Sequence, residues 1–283
     1  MPIICLSGSK PLLEHPVTLW PESLSLETDI TLDLRELTFV CPLDLAGLAA
    51  WSQVLQGGQP GEVILPRAAV ASYLQRMKIL DVLRSHGWRV PPVETGREQD
   101  LAHKLLEVTS LTSFGDVEDL ANRLPRLLAG SAGDPKKLSA LHFAFGELCD
   151  NAATHSGSAP FFVAAQRYTG ATSGSRRLEL AVADAGIGVP THLRRNHRYA
   201  QIERDEEAIA LALKPGVTGT RDRRGYGFFD VLRESGEVAS GELIVYSGRG
   251  RAVVPFGAGA KRRRFHQLPG CIPGTLIQVQ LSE

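Results

Sequence analysis

Little in this chain is lopsided, and each shortage removes a class of function. Its 31 Lys and Arg residues are matched by 31 Asp and Glu. That balance argues against a generic polyanion binder, against steering by the whole molecule, and against charge-driven disorder. No run of about 18 apolar residues occurs, so no segment is predicted to span a bilayer. Only four cysteines are present, Cys5, Cys41, Cys149 and Cys271, and no two form a CxxC pair. A disulfide framework or a cysteine metal cluster needs closer spacing, so all four are predicted to be small buried hydrophobes. The first ten residues lack a basic stretch and carry too short an apolar run for a signal peptide, which predicts a cytoplasmic protein. Neither a Walker loop nor a dinucleotide GxGxxG is found, and no repeat recurs at a fixed period.

What is present is ordinary core material. With 283 residues, 43% of them hydrophobic, the chain has length and apolar content for about two domains. Ile30-Thr31-Leu32-Asp33-Leu34 alternates like a half-buried strand. Pro42 suits a helix start, and Leu45, Leu48 and Trp51 continue a helical stripe toward Gly57-Gly58. Val63-Ile64-Leu65 reads as a short strand closed by Pro66, and Val70, Leu74, Met77 and Leu80 predict one more helix. This strand–helix–strand–helix order predicts a small α/β domain over residues 1–95, with Pro91-Pro92 and residues 94–100 as the linker.

Residues 96–283 form the second predicted domain. A strand is expected over 105–111, then a helix from Asp116 that Pro125 should kink or shorten. The strongest helix follows, with Asp134 as its cap, Pro135 in its first turn, and Leu138, Leu141, Phe145, Leu148 and Ala152 on one stripe. Further strands are predicted at 161–167, 178–184, 243–246 and 276–281.

Three features carry candidate chemistry. Glu147 and Asn151 lie four apart on that helix, so both project from one face, with His155 a turn further. A carboxylate and an amide oxygen so placed suit a hydrated Mg²⁺, although a solvated helix edge has the same pattern. Asp184-Ala185-Gly186-Ile187-Gly188 follows an alternating strand. Asp184 could accept from an exocyclic amine while the glycines admit a flat ring, or the segment could be a plain glycine turn. Gly225-Tyr226-Gly227 leads into an apolar helix, whose first backbone amides suit phosphate.

In this order and separation the three resemble the nucleotide-site motifs of the GHKL ATPase superfamily, of the histidine kinase and gyrase type. Residues 147–156 resemble its N box, 184–188 and 225–227 its glycine boxes, and Gly274-Thr275 its closing Gly-Thr. The resemblance covers residues 100–283 and is nearest to the anti-sigma factor serine kinases. It implies an α/β sandwich with a mixed sheet (the Bergerat fold), and ATP and Mg²⁺ as cofactors. On that reading Asn151 ligates Mg²⁺ and Glu147 acts as general base or orients water. Asp184 contacts the adenine amine, Gly186 and Gly188 shape the base pocket, and Thr275 completes the adenine network. Gly225 and Gly227 face the phosphates, and Thr218 sits at the tip of a lid over the nucleotide. The stretch between the glycine boxes, residues 190–224, is longer than in the compact anti-sigma kinases and carries a helical signal over 206–213. Arg221-Asp222-Arg223-Arg224 ends the lid, as a cationic cover for phosphate or a solvated loop.

Residues 31–45 are similar to the core of STAS domains, the fold of anti-sigma factor antagonists. Pro42 and Leu43 stand where that family carries a phosphorylated hydroxyl, and no hydroxyl follows until Ser52. The resemblance therefore implies a degenerate STAS-like module that docks or dimerises. The whole reads as an ATP-binding signalling protein that acts on, or through, a protein partner as a kinase or slow ATPase. A non-catalytic, nucleotide-dependent binding module is the alternative. A nucleic-acid-associated ATPase using Lys261-Arg262-Arg263-Arg264 is a third reading. His103 lacks the helix context of an autophosphorylated histidine. No membrane partner is expected, and exposed faces of both domains are compatible with a homodimer.

Overall fold

The computed structural model describes residues 3–5, 30–54, 60–94, 105–125, 135–155, 157, 160–169, 176–219 and 225–282. The N-terminal part contains β1 (Ile3–Cys5), β2 (Ile30–Asp33), α1 (Pro42–Val54), β3 (Pro60–Ile64), α2 (Ala68–Arg76) and α3 (Ile79–Ser85). Its strands lie in the order β1-β2-β3, all parallel. Two parallel neighbours cannot be joined by a tight turn, and α1 is the crossover between β2 and β3. Pro42 is the first residue of α1, and the Asp44 carboxylate accepts the Cys41 N–H at 2.9 Å, satisfying a donor at the helix start.

The helix expected across 70–80 is two helices. Lys78 sits at φ 60°, which ends α2 and starts α3. The break has a use: the Met77 carbonyl, freed from helical pairing, accepts the Val108 N–H at 2.9 Å. Nothing in the apolar spacing reports that demand.

The remaining elements are β4 (Leu105–Leu111), α4 (Phe114–Ala121), α5 (Pro135–His155), β5 (Phe161–Thr169), β6 (Arg176–Asp184), α6 (Gly188–Arg194), α7 (Asp205–Ala212), α8 (Gly227–Val238), β7 (Gly241–Phe256) and β8 (Arg264–Ser282). Helix α4 starts two residues before Asp116, because Ser113 is its cap and Asp116 closes a capping box with it. It ends at Ala121, four residues before Pro125, whose ring would strike that carbonyl. The capping Asp134 and residues 95–100 of the expected linker lie outside the described residues.

The five strands run in the order β4-β5-β6-β8-β7, and every neighbouring pair is antiparallel. The expected mixed sheet is therefore corrected to an antiparallel one. β7 runs in the same direction as β6, but β8 lies between them and pairs with both, which removes the one parallel contact. β7 and β8 also extend well beyond the predicted 243–246 and 276–281. Their pairing shifts register around Gly248 and Gly250, beyond which it continues as a second, shorter ladder.

Side-chain alternation gives the sheet two apolar faces. Leu178, Leu180 and Val182 join a core with Phe145 and Leu148 of α5 and Val231 of α8. Ala181 and Ala183, with Phe162 and Ala164 of β5, join a core with Leu45, Leu48 and Trp51 of α1. The result is three layers, α1 on one side of the sheet and α5 with α8 on the other. The Tyr73 hydroxyl adds a polar tie from α2 to β5, donating to Gln166 Oε1 at 2.5 Å. Among the described residues no helix is long and apolar enough to cross a membrane. Cys41 and Cys149 are buried as expected, but Cys271, on the outer part of the hairpin, is exposed.

Candidate functional site

Where β6 ends, the front layer opens into a cleft of about 410 Å³ between α5, α6 and the start of α8. Glu147, Asn151, Asp184, Gly188, Thr218, Gly225, Gly227 and Thr275 all line it. Of the described residues expected at the site, Gly186 alone is not in the lining. Its N–H points inward and donates to Asp184 Oδ1 at 2.8 Å, so Gly186 holds the carboxylate in place.

One end of the cleft is largely apolar, with Val182, Val189 and Ile277 lining it beside Asp184 and Thr275. Asp184 and Thr275 face each other across β6 and β8. Burial pushes the Asp184 carboxyl up to about 7, against the backbone N–H groups of Gly186 and Thr275, which favour its charged form. A ligand group that donates to this carboxylate would recover that lost hydration. The glycines here answer a steric need: a Cβ on Gly274 (φ 73°) would fall 2.0 Å from the Asp184 carbonyl. One on Gly188 (φ 74°) would reach 2.9 Å from the Gly274 carbonyl.

The other end is acidic. α5 presents Glu147, Asp150 and Asn151, and the first turn of α8 presents Asp230. Burial raises the Glu147 pKa, and the charges of Asp150 and Asp230 raise it further. Asn151 Nδ2 is buried without a hydrogen-bond partner, and Gly227 packs so closely on Glu147 and Asn151 that a Cβ would intrude. An orphaned donor beside an open cleft fits an acceptor supplied by a ligand. Among the described residues, no group of three His, Cys, Asp or Glu is arranged to hold a metal ion. A cation here would take ligands from water and from what it accompanies, as Mg²⁺ characteristically does.

Val217 and Thr218, which line the cleft, and Gly219 after them are strapped to α6 and the turn beyond it. Asn196 Nδ2 donates to the Thr218 carbonyl at 3.1 Å, and Gly219 approaches the His192 carbonyl too closely for any side chain. The arginines of 221–224 and His103 lie outside the described residues, as does the side chain of His155. Helix α6 itself was not foreseen, nor were His192, Tyr226, Asp150 and Asp230 in the lining. Ser247 also escaped notice, although its buried hydroxyl joins three backbone segments behind the cleft. Asp230 had a readable signal, three residues past Gly227 on the predicted helix; Ser247 had none.

Lys261, Arg262, Arg263 and Arg264 are exposed at the far tip of the hairpin. That tip packs by the C-terminal end of α8, where Ser240 Oγ donates to the Ala258 carbonyl at 3.1 Å. α8 is 12 residues long, so the end beside the hairpin tip lies about 18 Å from the end that borders the cleft.

Comparison with known proteins adds no relationship. No family model, curated protein or solved structure matches the chain.

Proposed function

We propose that the chain is an ATP-binding regulatory protein of the GHKL type, taking Mg·ATP in the cleft beside Asp184. The observation that carries this reading is the cleft's polarity. A buried lone carboxylate with glycine walls marks one end, and a carboxylate–amide pair beside a helix N-terminus marks the other. A purine and a polyphosphate differ in the same way, and the cleft volume is of small-molecule size.

On this reading Asp184 accepts from the amine of the base, while Gly188 and Gly274 keep the slot narrow enough for a ring. Asn151 would give its amide oxygen to Mg²⁺, and Mg²⁺ supplies charge neutralisation that the acidic end of the cleft otherwise denies to phosphate. The first residues of α8, Gly227 and Phe228, line the cleft, and their N–H groups would be offered to the phosphates. Glu147, with its raised pKa, is the group suited to accept a proton from an attacking hydroxyl or water. The chain then serves as a protein kinase or slow ATPase. If Glu147 does not act, it serves as a module whose 217–219 segment changes population with nucleotide and so engages a protein partner. A cytoplasmic setting follows from the supply of ATP.

Calorimetry with Mg·ATP tests the site. The folded wild type is expected to bind, and Asn151→Ala to lose binding. Absence of any ATP binding to the folded wild type overturns the reading. Retention of a partner from extract only with a non-hydrolysable ATP analogue supports the regulatory part.

A further inference from the structure

The Ser247 hydroxyl has one proton, and its neighbours dictate where that proton goes. Ser247 is fully buried, with Oγ 2.6 Å from the Gly274 carbonyl and 2.9 Å from the Val189 nitrogen. A carbonyl can only accept, so the proton is committed to Gly274. A backbone N–H can only donate, so Val189 takes one of the two lone pairs. One lone pair remains, and the Thr275 hydroxyl lies 3.3 Å away. Thr275 can therefore meet Ser247 only as the donor.

The consequence appears in the cleft. With its proton turned back toward Ser247, Thr275 would offer only lone pairs to a ligand. Asp184, opposite it in the strand register, is likewise an acceptor when ionised. We infer that Ser247 is a positioning residue for base specificity: by fixing the Thr275 proton it makes this end of the cleft all-acceptor. Such a surface takes a ring edge carrying an amine and rejects the same ring with a carbonyl there. The inference rests on the nucleotide reading above, and adds to it the residue that sets the discrimination. A carbonyl facing two sets of lone pairs is a buried acceptor without a donor, which costs roughly 10- to 100-fold in affinity.

The test compares adenosine and inosine triphosphates, whose bases carry an amine and a carbonyl at the same ring position. Both are titrated with Mg²⁺ into the folded full chain at about pH 8.5, where Asp184 is ionised. The wild type is expected to favour the adenosine nucleotide by roughly 10- to 100-fold. In Ser247→Ala the Thr275 proton is released, can turn toward a carbonyl, and the preference falls at least about threefold. Thr275→Val removes the hydroxyl and is expected to lower the preference as well; adding Ser247→Ala to it changes the preference no further. A purely structural Ser247 would weaken both nucleotides together and leave their ratio unchanged, which overturns the inference. Should Ser247→Ala fail to fold, an unchanged ratio in Thr275→Val overturns it equally. Binding of neither nucleotide to folded wild type removes the nucleotide reading and this inference with it. Adenosine triphosphate binding with an unmoved ratio removes this inference alone.

Discussion

Glu147 and Gly227 stand in contact where α5 meets α8: a Cβ built on Gly227 would lie 2.9 Å from Glu147 Oε2. It would also lie 3.0 Å from Asn151 Nδ2. Gly227 is not among the positive-φ glycines, so its backbone admits alanine. The atoms in the way are ends of flexible side chains, which can move at little cost to folding. Gly227→Ala should therefore leave the melting temperature within a few degrees of wild type while weakening Mg·ATP binding at least about tenfold. A variant that binds normally would show that Glu147 and Asn151 need not hold these positions.

Glu147 is the subject of a second expectation. Its pKa is raised by burial first and by Asp150 and Asp230 next. If it accepts a proton during turnover, activity rises with pH as Glu147 ionises. Removing one repelling charge favours ionisation, so Asp230→Asn should move the acidic limb of the rate profile to lower pH. Glu147→Gln should keep nucleotide affinity and lose turnover. Residual turnover equal to wild type in that variant would favour the binding-module reading.

Asp184 makes the free protein pH-sensitive. Its ordinary value near 3.8 is raised to about 7 in the fold. Between those values the folded state holds a proton that the unfolded state has released. The associated stability is present in full below the lower value and is lost as pH rises through the upper one. Its size is up to about 4 kcal/mol. Asp184→Asn should flatten the dependence between pH 4 and pH 7, about the window these values set, and melt higher than wild type above it. The same change should weaken ATP binding, the usual conflict between stability and a functional carboxylate. Parallel denaturation curves for the two proteins across that window would contradict this account.

The strap at the cleft can be cut at Asn196. Its side chain gives the Thr218 carbonyl a hydrogen bond of 3.1 Å, worth about 1 kcal/mol. Asn196→Ala should speed nucleotide release about fivefold, measured by stopped-flow displacement of a fluorescent analogue. An unchanged release rate would mean that residues 217–219 do not cover the ligand.

Much of this architecture is readable from local rules. Pro42 begins α1, Leu105–Leu111 is a strand, and Pro125 limits α4, because each depends on backbone geometry within a few residues. Glu147 and Asn151 share a helix face, and Asp184 ends a strand, for the same local reason. What escaped was set by distant partners. The break at Lys78 serves Val108, thirty positions on in sequence, and the place of β8 between β6 and β7 depends on pairing that no period of two encodes. Ser247 reaches the cleft through Val189 and Gly274, each far from it in the chain. Its own surroundings in sequence resemble any strand end.

Ala183 and Asp184 finally explain what kind of change this protein will not tolerate. Ala183 is turned to α1, and Asp184, the next residue, to the cleft. Substitution along β6 can be absorbed position by position, as cores generally allow. A single inserted or deleted residue between Leu178 and Asp184 cannot, because every side chain beyond it would exchange faces. The carboxylate would be driven beneath Leu48 and Trp51, and a methyl group would stand where the ligand should be met. In related chains the spacing across this strand should be invariant in length even where its letters vary.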